Sequence, residues 1–239
     1  MSKRQGSEPG GPGLLIHALY NNPLSGKEIE ARSFAIIDRE APEHEYSDDQ
    51  WEIVRRMIHT TADFDLINRV KFSADAIDSG VESLKAGSTI FSDSNMIRSG
   101  LSLARLQEVS PRYGRDSLVC YVADDDVALE ARKQGLPRSL FAVRKARPML
   151  EGGIAVFGNA PVAVMELNRL IVEEGVRPGL VVAMPVGFVH VVECKEELMS
   201  LDVPFIVIEG RRGGSPLAVS VIHALCSVAS KRKKEEPMA

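Results

Sequence analysis

The sequence contains few cysteines, few aromatic residues and no long apolar run. Its 239 residues include three cysteines, Cys120, Cys194 and Cys226, which are widely separated and form no CxxC pair. Neither a disulfide framework nor a zinc site is therefore predicted. Aromatic residues make up only 5% of the chain, which disfavours the stacking surfaces that bind single-stranded nucleic acid. No apolar run approaches the roughly 18 residues that a membrane-spanning helix requires.

An excess of charge of one sign is also missing. The formal net charge is −4, which disfavours a broad nucleic-acid or membrane-surface footprint. The first 13 residues (MSKRQGSEPGGPG) are polar and glycine-rich, unlike the apolar segment of a secretory signal. We therefore expect a cytoplasmic protein that binds neither nucleic acid nor membrane.

The length and composition are those of one globular domain. We expect residues 1–13 to be a disordered tail, because they are rich in glycine and proline. Residues 14–230 are predicted to form the folded domain. Residues 231–239 (KRKKEEPMA) mix charges of both signs, and we expect them to be a charged, frayed tail.

Short apolar segments alternate with helical patterns through most of the chain. Strands are predicted at residues 89–91, 118–122, 154–157, 180–183 and 205–208. Continuous apolar strands separated by helices are typical of a parallel sheet covered on both faces. With right-handed crossovers, this predicts an α/β fold with a doubly wound, mostly parallel sheet.

Ligands bind beyond the carboxyl ends of the strands in such a sheet. This rule selects the loops at residues 93–95, 159–161, 185–188 and 211–215. The last loop belongs to the sequence GRRGGSP at residues 210–216, in which glycines allow close backbone approach and Ser215 can cap a helix. Free N–H groups there, with Arg211 and Arg212, could hold an anion. The alternative is a tight turn with solvated arginines.

The histidine at position 59 follows an apolar stripe on a predicted helix. This helix begins after Ser47 with an S-x-x-Q capping box. Trp51, Val54 and Ile58 form the stripe, and His59 lies about 80° around the helix from Trp51 at 100° per residue. Spacing alone therefore predicts a flank or surface position for His59.

Other catalytic patterns find little support in the sequence. There is no G-x-S-x-G motif, and Cys120 and Cys226 fit core positions. His17, His44, His190 and His223 lack metal-ligand spacing, and we read each as structural or exposed. The phosphate-binding patterns G-x-x-x-x-G-K-[ST] and G-x-G-x-x-G are also missing.

Five segments, in order along the chain, resemble precorrin-8X methylmutases and their cobalt-precorrin-8 counterparts. They are residues 29–41 (IEARSFAIIDREA), 56–60 (RMIHT), 152–161 (GGIAVFGNAP), 184–188 (MPVGF) and 210–216 (GRRGGSP). Each segment is short, but five in the same order are specific. The resemblance extends over about residues 29–225.

This resemblance implies a homodimeric isomerase of cobalamin biosynthesis. The reaction would move a methyl group from carbon 11 to carbon 12 of precorrin-8X or cobalt-precorrin-8, giving hydrogenobyrinate or cobyrinate. It implies no nicotinamide, flavin or catalytic metal. His59, the histidine of the R-M-x-H segment, would be the acid/base residue, and Ser33, in R-S-F-A-I-I, would lie against the substrate.

The carboxylates of such a corrinoid would need local cations and backbone donors. The further substrate-binding candidates are Arg32, Asn95, Arg98, Asn159, Gly187, Arg211, Gly213, Gly214 and Ser215. Arg32 is selected by the resemblance, and Arg98 and Arg211 by their loop positions.

Two other functions stay open on the sequence. A corrinoid-binding carrier would need the same binding residues without turnover, and conversion of an isolated intermediate separates it from the isomerase. A nucleotide-dependent Rossmann enzyme is disfavoured by the missing glycine fingerprint, and a titration with NAD tests it.

Overall fold

The computed structural model describes residues 14–235. The tail predicted at residues 1–13 lies outside the described residues. The chain divides into two compact units, Met1–Glu40 and Ala41–Ala239, and the sheet lies wholly in the second.

The described part of the first unit is helical. Its helices are α1 (Leu15–Asn21) and α2 (Gly26–Glu40). Ser25 and Glu28 begin α2 with a reciprocal cap, because the Glu28 carboxylate accepts from the Ser25 amide at 2.7 Å and the Ser25 hydroxyl accepts from the Glu28 amide at 3.3 Å. Residues 34–37 (FAII), a short apolar segment whose sequence fits a strand or a helix equally, belong to α2.

The second unit contains the remaining regular elements. Its strands are β1 (Val70–Phe72), β2 (Ile90–Ser92), β3 (Leu118–Val119), β4 (Ile154–Phe157), β5 (Leu180–Ala183) and β6 (Phe205–Ile208). Its helices are α3 (Asp48–Thr61), α4 (Ala76–Ala86), α5 (Asn95–Gly100), α6 (Leu103–Val109), α7 (Asp125–Gln134), α8 (Arg138–Leu150), α9 (Pro161–Glu174), α10 (Val191–Met199) and α11 (Ser215–Glu235).

The six strands form one sheet in the order β1-β6-β5-β4-β2-β3. All neighbours are parallel except β1, which pairs antiparallel with β6. Ser92, Val156, Val182 and Ile206 form one row across β2, β4, β5 and β6. The predicted mostly parallel sheet is confirmed, and the carboxyl ends of these four strands meet at one edge.

Helices cover both faces of the sheet. Alternate strand residues such as Phe91, Phe157 and Val181 share a core with residues of α8, α9 and α10. On the opposite face α11 contacts β4 and β5, and it packs against α3, α4, α5 and α6. Both faces are therefore apolar, which explains why β4 and β5 are buried at every residue.

The boundaries of strands and helices differ from the predicted ones mainly at the edge of the sheet and at helix caps. The strand predicted at 118–122 has only residues 118–119, because β3 is an edge strand that pairs with β2 alone. The sequence predicts Ser73 as the N-cap of a helix that ends near Ala86, but α4 begins after Asp75 and Ser73 does not cap it. The Ser73 hydroxyl instead donates to the Asp75 carboxylate at 2.8 Å. Helix α6 was not predicted.

The charged end of the chain is helical further than predicted. Helix α11 continues through Lys231 to Glu235, whereas the frayed tail was expected from residue 231. Ion pairs account for the difference, since Lys231 pairs with Glu52 of α3 and Arg232 pairs with Asp49 and Asp78. Residues 236–239 lie outside the described part of the chain.

Candidate active site

Four loops meet at the carboxyl edge of the sheet. They follow β2, β4, β5 and β6, which are neighbours in the sheet, and they are the loops that the position rule selected. Backbone bonds connect them directly. The Met184 amide donates to the Phe157 carbonyl at 2.8 Å, the Gly214 amide donates to the Met184 carbonyl at 2.8 Å, and the Gly187 amide donates to the Arg211 carbonyl at 3.3 Å.

A buried carboxylate organises the loop after β4. Asp93, only 1% exposed, accepts hydrogen bonds from the amides of Gly158 at 3.0 Å, Asn159 at 2.9 Å and Ala160 at 2.7 Å. Burial raises the pKa of the Asp93 carboxyl, and the three backbone donors act against that rise. No sequence motif indicates this role, although an acidic residue directly after an apolar strand is a visible signal of it.

Glycines permit the close packing of these loops. A Cβ atom on Gly158 would lie 2.7 Å from the Cα of Ser215. Gly213 has φ of 158°, and a Cβ there would lie 2.2 Å from the Met184 carbonyl oxygen. The hydroxyls of Ser94 and Ser215 are 3.0 Å apart. Only glycine fits at positions 158 and 213 without movement of the backbone.

His59 lies in a cleft beside the loop of residues 210–215, the glycine-rich loop. The cleft has a volume of about 350 Å³ and is formed by residues of α3, α5 and α11. The lining residues are Arg56, His59, Thr60, Met96, Gly100, Ser215, Pro216, Val219, Ser220 and His223. Packing of α3 on α11 brings His59 near Ser215, so two of the predicted site residues line the same cleft.

Helix α3 presents His59 as its periodicity predicts. The capping box at Ser47 is present, and the apolar stripe is buried, with Val54 and Ile58 at 0% and 1% exposure. His59 itself is exposed, in the last turn of the helix, while Arg56 one turn earlier is buried. The exposed imidazole therefore faces the cleft from a rigid, well-packed helix.

A second histidine, His223, lies in the same cleft. Its Nε2 atom accepts a hydrogen bond from the Ser102 amide at 3.0 Å, so the neutral ring carries its proton on Nδ1. Protonation of Nε2 would break this bond. His59 and His223 are 164 positions apart, and no sequence pattern connects them. The prediction for His223 was a structural or exposed position.

The remaining candidates at this edge lie outside that cleft. Asn95 and Arg98 line a neighbouring hollow of about 520 Å³ together with Arg115. The Arg211 guanidinium stacks over the ring of Phe188, 5.5 Å from its centroid, and Phe188 is 83% exposed. Asn159, Gly187, Gly213 and Gly214 lie in the loops after β4, β5 and β6.

Not every arginine of the glycine-rich loop is available to a ligand. Arg212 forms ion pairs with Asp63 and Asp65. These acidic residues neutralise its charge, so Arg211 is the better placed of the two for an anionic group.

Arg32 and Ser33 belong to the first unit. Both lie on α2, where Arg32 is exposed and the Ser33 hydroxyl donates to the Ile29 carbonyl at 2.9 Å. That bond is a local one within the helix.

Comparison with known proteins decides the family. A family model described as precorrin-8X methylmutase matches residues 28–228. The chain belongs to the precorrin-8X methylmutase family. The resemblance of the five segments is thereby confirmed, and the matched range agrees with the predicted 29–225.

Individual relatives carry two names. A cobalt-precorrin-8 methylmutase of Leptospira interrogans is 43% identical over 215 residues, covering 87% of this chain and 96% of the relative. A precorrin-8X methylmutase of Pseudomonas aeruginosa is 34% identical, covering 84% and 95%. The crystal structure of precorrin-8x methyl mutase from Thermus thermophilus has a TM-score of 0.79 and 41% identity, covering 87% of this chain and 98% of its own.

The described residues contain neither a candidate metal-binding cluster nor a candidate membrane-spanning helix. Within residues 14–235, no group of three or more histidine, cysteine or acidic residues could hold a metal ion. Across the same residues, no helix has the length and apolarity needed to cross a membrane.

Proposed function

We propose that this protein is the isomerase of cobalamin biosynthesis that moves a methyl group from carbon 11 to carbon 12 of precorrin-8X or cobalt-precorrin-8. The product would be hydrogenobyrinate or cobyrinate. The observation that carries the proposal is the cleft in which His59 and the glycine-rich loop meet, in a chain of the methylmutase family.

The chemistry needs few catalytic groups. Methyl migration within one ring requires neither an external nucleophile nor an acceptor, so the protein has to fix one ring conformation and one protonation state. A proton delivered to a ring nitrogen draws electron density from the conjugated system and favours the shift. We assign this proton transfer to His59, because a histidine exchanges protons near neutral pH. The hydrogen bond on Nε2 of His223 favours His59 over His223 for this role.

The carboxyl edge of the sheet carries guanidinium groups and backbone amides that suit an anionic ligand. Arg98 on α5 and Arg211 in the loop after β6 are both exposed, and the loop of Gly213, Gly214 and Ser215 opens helix α11. Guanidinium groups and free backbone amides at a helix start both bind carboxylates. We propose that these groups, with Asn95, Asn159 and Gly187, hold peripheral carboxylates of the corrinoid. The substrate-binding roles of Arg32 and Ser33 stay predictions from the family resemblance.

We further propose that the working form is a cytoplasmic homodimer. A corrin macrocycle roughly 15 Å across needs more enclosure than an open cleft on one surface provides. His59 is exposed in the single chain, and a partner subunit over the cleft would exclude water from the ring. The three cysteines are free and buried, as suits a reducing compartment.

The test is multiple turnover of an isolated intermediate. Purified protein is mixed with a tenfold excess of precorrin-8X, and separately of cobalt-precorrin-8, each labelled with ¹³C in the methyl group on carbon 11. Movement of the NMR signal to the carbon-12 methyl in more than one equivalent per protein chain supports the proposal. Binding of one equivalent without movement of the label for both substrates would identify a carrier and overturn it.

A further inference from the structure

A buried lysine lies beneath the glycine-rich loop. Lys195 of α10 is 1% exposed. It falls on the buried stripe of that helix with Val191, Cys194 and Leu198. The sequence offered no signal for it, because glutamates surround it at positions 193, 196 and 197, and such a charged stretch is typical of a solvated helix face.

The partners of the Lys195 ammonium are backbone carbonyls. Its Nζ donates to the Gly210 carbonyl at 2.8 Å and to the Arg212 carbonyl at 2.9 Å. A buried ammonium is costly unless strong acceptors surround it. Burial lowers the pKa of Lys195 to about 8. A lysine at this position is therefore unfavourable for packing alone, and its two bonds require a specific loop conformation.

Three consecutive carbonyls of the loop, two of them bonded to Lys195, accept hydrogen bonds from the rest of the protein. The Arg211 carbonyl, between those of Gly210 and Arg212, accepts from the Gly187 amide. All three oxygens thus bond to groups from residues 187–195, on the protein side of the loop. An anion approaching from the opposite side is therefore repelled less by these carbonyl dipoles. Gly210, with φ of 74°, gives the chain the turn that this arrangement needs.

We propose that Lys195 is a positioning residue for substrate binding. It holds the loop of residues 210–215 in the conformation that receives a carboxylate, without touching the substrate. This inference rests on the proposed function for the identity of the ligand, but the effect of Lys195 on the loop does not depend on that identity.

The first measurement is amide hydrogen exchange of the full-length protein without ligand. In Lys195→Met the side chain keeps its length and apolar stem but loses its donors. We expect the Gly187 and Gly214 amides, which bond across the loops, to exchange at least tenfold faster, and the Val207 amide of β6 to exchange at the wild-type rate. Unchanged exchange at Gly187 and Gly214 would overturn the proposal, as would equal acceleration at Val207, which marks general destabilisation.

The second measurement is steady-state kinetics with precorrin-8X. Loss of a contact used equally in the ground and transition states raises KM and leaves kcat nearly unchanged. We expect Lys195→Met to raise KM about tenfold with kcat within threefold of wild type, and Lys195→Gln, which keeps N–H donors, to recover most of the change. Lys133→Met, at an exposed lysine of α7, is the matched control. A hundredfold fall in kcat at constant KM would assign Lys195 to the chemistry instead and overturn the proposal.

Hydrogen exchange separates the two proposals. If the wild-type protein converts neither precorrin-8X nor cobalt-precorrin-8, the proposed function fails, and the exchange of Gly187 and Gly214 in Lys195→Met still decides whether Lys195 positions the loop. If wild type turns over but the variant shows neither faster exchange nor a raised KM, the inference on Lys195 alone is wrong.

Discussion

Replacing Asp93 with alanine should destabilise the unit of residues 41–239 by about 2–5 kcal/mol. The carboxylate accepts from the amides of Gly158, Asn159 and Ala160. The Gly158 bond is buried, so the unpaired amide costs about 1–3 kcal/mol. The other two bonds are only partly buried. Water can replace the carboxylate there, and each loss amounts to about 0.5–1.5 kcal/mol net. Relief of the buried charge offsets part of the sum.

The assay is urea unfolding at pH 7, followed by circular dichroism, with the free energy taken by linear extrapolation. Asp93→Asn keeps one acceptor oxygen and should fall between wild type and Asp93→Ala. Asp202→Ala, at an exposed aspartate, is the control and should stay within about 0.5 kcal/mol of wild type. An Asp93→Ala protein as stable as that control, with an unchanged m-value, would refute the assignment of Asp93 as the residue that organises this loop.

Three further outcomes are expected from the same structure. Because burial lowers the pKa of Lys195 to about 8, the unfolded chain binds more protons than the folded chain above that pH. The unfolding free energy of wild type should therefore rise relative to that of Lys195→Met between about pH 8 and 10.5, by up to roughly 3 kcal/mol. If urea titrations give the same difference in unfolding free energy between the two proteins at every pH, this prediction is wrong. Gly158→Ala brings a Cβ to 2.7 Å from the Ser215 backbone and should lower the free energy of unfolding in urea by about 1–3 kcal/mol. Gly114→Ala, whose Cβ meets open space, should be nearly neutral. Equal urea midpoints for the two variants would contradict the close packing at Gly158. Sedimentation equilibrium at micromolar concentration should give twice the chain mass of 26.1 kDa, and a species of the single-chain mass would exclude the dimer.

The parts of the fold that could be predicted are those buried on both faces. The strands at 154–157, 180–183 and 205–208 were predicted at the residues the structure shows, because each is a continuous apolar run with helices on either side. The edge strand β3 is shorter than predicted, since a strand with one neighbour has less pairing to maintain it. The charged end of α11 depends on ion pairs with Asp49 and Glu52, which no local pattern at residues 231–235 reveals.

The candidate site was predictable where loop position determines it. The order of β6, β5, β4 and β2 brings together the four loops that the strand pattern selected. The supporting contacts were not predictable, because they join residues distant in sequence. Asp93 bonds to amides 65 to 67 positions away, and His223 enters the cleft only through the packing of α11 on α3. Lys195 lies among glutamates, where sequence indicates solvent rather than burial.

The most direct test of the account is the single-turnover rate of His59→Asn on bound precorrin-8X as a function of pH. Asparagine keeps polarity and removes the titratable nitrogen. The matched control is His44→Asn, which makes the same change beside Trp51, among residues that do not line the cleft. We expect the His59→Asn rate to fall by about 10²- to 10⁴-fold, with corrinoid affinity within about threefold of wild type. A proton donor acts only while it carries its proton, so the wild-type and His44→Asn rates should fall with rising pH, and His59→Asn should lack that fall. The contradicting result is a folded, dimeric His59→Asn protein that isomerises precorrin-8X within about threefold of the wild-type rate. Such a ratio corresponds to a difference of less than about 1 kcal/mol in activation free energy.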